Sequence, residues 1–174
     1  MRIFLIIFML MAPVFAGPET KNIIPVSQDA VVPIMLPDPG LTPGSVDSSI
    51  TVEQLKSPEF IKKVRNVPES LKKQVFIAYF GKVPEDRKNW EIDHLVPCCM
   101  GGRQDIKNLW PQSYVTKPWN AHVKDRLEVV LHHLVEAGKV PLATAQHDIS
   151  TNWIEAYKKY VGPNPEEHDK DGDE

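Results

Sequence analysis

The stretch "EIDHLVPCCMGGRQDIKNLWPQ", from Glu91 to Gln112, gathers residues with chemistry to offer. Asp93 stands directly before His94. A carboxylate is the hard oxygen donor that Mg²⁺ or Mn²⁺ takes. An imidazole titrates near neutrality and can accept a proton from water. Neighbours on a regular strand point to opposite faces, so an irregular strand end is needed for both to serve one site. Gly101-Gly102 turns the chain back and returns Asn108 to the side of the pair. Asn120 and His122 follow, in the first turns of a predicted helix. Strand, turn, strand and helix then supply an acid, a base, an anchoring amide and a helix ligand, which together suffice for a metal site.

The elements that must position these residues are readable from pattern. Ser57-Pro58 is an N-cap followed by proline at the first helical position, opening "PEFIKKVR". Pro68-Glu69-Ser70 opens a second helix, with Leu71, Val75, Ile77, Ala78 and Phe80 as its apolar face and Gly81 as its stop. A hairpin is predicted over roughly 89–112. A helix follows from about 118 to 137, with Pro118 near its first turn and Val123, Leu127, Val130, Leu131 and Leu134 as a stripe. A last helix is predicted over 142–160, buried through Leu142, Ala145, Ile149, Trp153, Ala156 and Tyr160. The fold class is α+β, a mostly helical domain around one β-hairpin followed by a helix.

The chain divides into four parts. Residues 1–16 read as a signal peptide: Met1-Arg2, an apolar run from Ile3 to Met11, and Ala16 before the expected cleavage point. That run is shorter than the roughly 20 residues of a membrane span, so the mature protein is expected to be exported, periplasmic or extracellular, with no stable membrane association; a retained N-terminal anchor is the alternative. Residues 17–50 form a Pro/Ser-rich linker or arm whose apolar "VVPIML" is expected to rest partly on the body. Residues 51–162 form the domain, and 163–174 an acidic tail expected to be disordered. The net charge of −3 conceals an uneven distribution. Residues 51–90 carry nine Lys and Arg against five acids, a local +4, while "PNPEEHDKDGDE" holds six acids and one lysine. Cys98 and Cys99 are adjacent, a poor geometry for a mutual disulfide, and read as small buried hairpin residues.

"DHLVP", "GG" and "IKNLW", followed by "WNAHVKD", resemble the HNH nucleases with the ββα-metal fold, and within them small exported bacterial HNH-like proteins. The resemblance covers roughly 35–165. It implies Asp93 as a metal ligand, His94 as the general base and Asn108 as the hairpin asparagine that fixes the loop and orients the histidine. The helix ligand it implies falls on Asn120 or on His122. It also implies a metal-dependent endonuclease that hydrolyses DNA, and RNA as a further substrate, with little sequence specificity. The implied cofactor is one divalent ion, Mg²⁺ in the first place, with Mn²⁺ or Zn²⁺ as alternatives. Arg103, Lys107 and Lys124 lie close enough in sequence to hold flanking phosphates. Two departures stand out: Cys98-Cys99-Met100 replaces aliphatic residues after the proline, and Lys56 and Glu136 stand about where the group carries a separated cysteine pair.

Other histidines and the tryptophans read as structure. His132-His133 sits late in its helix, where cations suit the dipole; His147 is expected to face solvent, and His168 lies in the acidic tail. Trp90, Trp110, Trp119 and Trp153 are expected in the core. Two further classes remain: an inactive ββα-metal module that binds nucleic acid or a partner, and a helical protein whose hairpin holds zinc for stability.

Overall fold

In the structure, a computed structural model, residues 34–165 are described. The expected signal peptide, residues 17–33 of the arm, residues 166–174 of the tail and His168 lie outside them. Five helices and one hairpin follow in order: α1 (Val52–Leu55), α2 (Pro58–Val64), α3 (Glu69–Phe80), β1 (Trp90–His94), β2 (Leu109–Ser113), α4 (Ala121–Glu136) and α5 (Leu142–Tyr160). The fold is α+β, mostly helical around one antiparallel hairpin, as the pattern predicts. No described helix is long and apolar enough to cross a membrane.

Local chemistry sets the helix ends. Thr51 and Gln54 form a capping box at α1, and the Ser57 side chain accepts from the Phe60 amide at α2, with Pro58 in the first turn. Gly81 closes α3 at φ 72°, a conformation only glycine adopts without strain. The α3 face is rotated from the expected one: Val75 and Phe76 are buried, whereas Ile77 is 53% exposed. Proline at 118 does not begin α4. The helix starts at Ala121, because the Asn120 side chain accepts from the Val123 amide and caps it. Its buried stripe includes Val135 rather than Leu134. The last helix is two helices: Asn152 has non-helical angles (φ −161°, ψ 95°), and its carboxamide oxygen accepts from the Ile154 and Glu155 amides, capping a second segment. The corner buries Tyr157 where the uniform pattern expected Tyr160.

The hairpin pairs Trp90 with Ser113 through to His94 with Leu109. Side chains alternate across it. Ile92 and Leu109 pack with Val75 and Phe76 of α3. Trp110 joins the larger core of α4, α5 and the hairpin turn, with Leu127, Leu131, Ile149 and Trp153. Part of the arm belongs to the body. Thr42 is buried and donates to the Leu109 carbonyl. The Gly44 amide donates to Lys107, Arg103 to Ser45 and Asp47 to Gly101. Residues 42–47 thus form a strap along the connection between the strands.

Candidate active site

The connection that returns Asn108 is built around a close approach. At Gly102 an added Cβ would lie 1.7 Å from the Val96 carbonyl oxygen, so only glycine fits. Gly101 adopts φ 77°. Asn108, fully buried, uses both ends of its amide. It accepts from the Val96 and Ser45 amides at 2.9 and 3.3 Å, and donates to the Val96 and Arg103 carbonyls at 2.9 Å. It therefore clamps the loop to the strand end and to the strap. It makes no hydrogen bond to the His94 ring; its influence on His94 passes through the backbone, where its carbonyl accepts from the Leu95 amide.

Asp93 and His94 sit on opposite faces of β1 but border one cleft of about 980 Å³. Asp93 faces α4. One carboxylate oxygen accepts from the His94 amide at 2.6 Å, and the other from the Lys124 ammonium at 2.7 Å. His94 turns toward the end of α2. Its Nε2 lies 3.5 Å from Cys98 Sγ, which in turn lies 3.5 Å from the Val64 carbonyl. Nδ1 makes no hydrogen bond within the described residues. Burial pushes the imidazole down to about 4; Asp93 opposes this, while Lys124 and Arg65 reinforce it. His94 is therefore neutral at pH 7, with a ring lone pair available, although the same burial disfavours its protonated form.

Lys124 was expected at a phosphate and lies instead beneath the floor, fully buried. Its ammonium donates to Asp93, to the His94 carbonyl at 2.7 Å and to Glu128 one turn along α4. Burial opposes its charge, but Asp93 and Glu128 outweigh that and hold it above the ordinary lysine range. Glu128 is pushed upward by burial, with Lys124 pulling the other way. Glu91 and Asp125 complete the acidic floor, both raised chiefly by burial and then by Asp93.

The expected metal ligands do not come together. Asn120 is turned into its own helix as the cap. His122 is exposed and stacks on Tyr114, with ring centroids 5.1 Å apart. Neither lines the cleft. Among the described residues no three His, Cys, Asp or Glu side chains are placed to share a metal ion. The oxygens that do converge, from Asp93, Glu128 and the His94 carbonyl, converge on Lys124. The donor set as folded does not fit a divalent ion at Asp93.

The expected phosphate contacts also move. Arg103 pairs with Asp105 at 3.5 Å beside the turn, Lys107 is exposed on the same connection, and neither borders the cleft. The cations that border it are Lys56, Lys62, Arg65 and Lys72, from α1 to α3. Of these, Lys62, Arg65 and Lys72 make no ion pair among the described residues, and Arg65 is close enough to bear on His94, Cys98 and Asp125. The local charge of +4 before the motif was the signal for them, although it did not say which side chains face inward. The two cysteines are free. Burial raises Cys98 to about 11 and Cys99 to about 12, so both are unreactive thiols at neutral pH. The His132 ring donates through Nε2 to the Leu55 carbonyl at 3.2 Å, a structural tie, and His147 is exposed. The chain matches no family model, no curated protein and no solved structure.

Proposed function

We propose that this cleft binds nucleic acid and hydrolyses its phosphodiester bonds, an HNH-like endonuclease acting on DNA, and on RNA in the same way, with little sequence preference. One observation carries the reading. A buried histidine with a ring nitrogen that has no partner among the described residues lies in a cleft walled on one side by Lys62, Arg65 and Lys72, which make no ion pair among them. His94 takes the proton of the attacking water through Nδ1 as the water oxygen bonds to phosphorus and the P–O bond to the departing oxygen breaks, that oxygen taking its proton from solvent; base assistance of this kind is typically worth ~10²–10⁴-fold. Arg65 and Lys62 neutralise phosphate oxygens, contacts that give affinity and orientation without reading bases. Since the donor set around Asp93 does not fit a divalent ion, no step is assigned to one. The test is plasmid nicking by the purified chain, with Mg²⁺, Mn²⁺ or chelator, beside His94→Ala and Asp93→Ala. Nicking that falls at least a hundredfold in His94→Ala supports the reading, and undiminished nicking by that variant removes His94 as the base.

A second reading is favoured by the same missing ligand set: a module that binds nucleic acid without cutting it. It predicts a mobility shift that Arg65→Ala weakens and His94→Ala leaves alone, with no strand scission in any metal.

A further inference from the structure

The sharpest disagreement between the expected chemistry and the geometry lies at Asp93. A carboxylate, a second carboxylate one helix away and a backbone carbonyl make an oxygen set that suits a cation. The cation there is Lys124. Its three protons meet three acceptors, and the side chain has no accessible surface. The second Asp93 oxygen is taken by the His94 amide. The lysine stem is held as firmly as its head: Lys124 lies on the buried face of α4 between Val123 and Leu127, in a helix whose cap, Asn120, is four residues upstream. We infer that Lys124 is a tethered cation that closes the Asp93 centre, so that the native chain binds no divalent ion through Asp93.

The inference concerns occupancy of the centre and holds whether or not the cleft cuts nucleic acid. Displacing Lys124 would strand an ammonium in the core or require α4 to give up its packing against α5. A divalent ion at Asp93 must therefore compete with a charge already present at high effective concentration. Removing the ammonium while keeping the stem removes that competitor. Lys124→Met leaves the oxygens of Asp93, Glu128 and His94 facing one another across a space the ion can enter.

The experiment is Mn²⁺ titration of the full chain, read by electron paramagnetic resonance and by calorimetry, without nucleic acid. In wild type, up to millimolar Mn²⁺, no binding that Asp93→Asn abolishes is expected. In Lys124→Met one Mn²⁺ site is expected, lost again when Glu128→Gln is added, and Mn²⁺ should raise the melting temperature of the single variant alone. An Asp93-dependent Mn²⁺ site in wild type would overturn the inference, and so would a folded Lys124→Met that takes up none. Where Lys124→Met does not fold in the absence of metal, the comparison of wild type with Asp93→Asn still decides. Plasmid nicking assays in chelator separate this from the functional reading: metal-free cleavage that needs His94 agrees with both, and an Asp93-bound Mn²⁺ in an active protein would sink the inference while leaving hydrolysis standing.

Discussion

His94 carries the most direct physical prediction. Its folded value near 4 lies below its ordinary 6.5, and burial is the main cause. Between those values the unfolded chain binds more protons than the folded one, so stability attributable to His94 is complete above about 6.5 and falls as pH drops toward 4. An NMR titration of the His94 ring should show a midpoint near 4; a midpoint near 6.5 would mean that the ring is solvated. Lys124 sits at the other extreme. Breaking a buried ion pair from one side leaves an uncompensated charge, typically costing about 3–5 kcal/mol. Chemical denaturation of Lys124→Ala should lose stability on that scale, and Lys124→Ala combined with Glu128→Gln should regain part of it. Asp93, His94 and Asn108 were legible because they lie on one short hairpin whose turn is marked by two glycines. The role of Lys124 was not, because sequence proximity to a basic, polar motif says nothing about which way a helix face is turned. The face is settled by the cap at Asn120, which starts α4 three residues later than Pro118 suggested.

At the scale of elements, the hairpin, α4 and the basic helices emerged from pattern, and the corner in α5 did not. The apolar residues of that segment are compatible with one continuous helix, and the corner is chosen by the Asn152 cap and by a strut across it. Asp148 accepts from Lys159 at 2.8 Å and Tyr160 at 2.6 Å, residues far out of reach in a straight helix. Lys159 and then Tyr160 hold the Asp148 carboxyl below its ordinary 3.8. A depressed carboxylate stabilises the fold above its unfolded value and loses that effect as pH falls through its folded value. Asp148→Asn should lower the melting temperature at pH 7 by the equivalent of about 0.5 kcal/mol, the scale of an exposed ion pair, and the difference from wild type should start to shrink as pH falls below 3.8 and vanish only once pH has passed below the depressed folded value. Asn152→Ala should cost about 1 kcal/mol through loss of the cap. In the other direction, Gly102→Ala should be far more damaging than either, since its methyl would strike a backbone carbonyl rather than a flexible side chain.

Over the whole molecule, a mildly acidic net charge coexists with a basic wall, so the proposed association with a polyanion should be local, weak in high salt and sensitive to single cations. Arg65→Ala should reduce the slope of log affinity against log salt by about 1 for duplex DNA. Arg103→Ala, away from the cleft, should leave it unchanged. The strap has a further consequence, for the order in which the chain is made. Thr42 and Ser45 find their partners at Leu109, Asn108 and Asp105, 60 to 67 positions downstream. A ribosome releases the strap long before it releases the residues that receive it. Until the hairpin has been synthesised and has closed, the Thr42 hydroxyl has only Tyr79 or water to bond and the Ser45 groups only water. The site thus joins some of the earliest-made residues of the described body to the hairpin and to α4, which is made after both, so it cannot be complete until α4 has been synthesised.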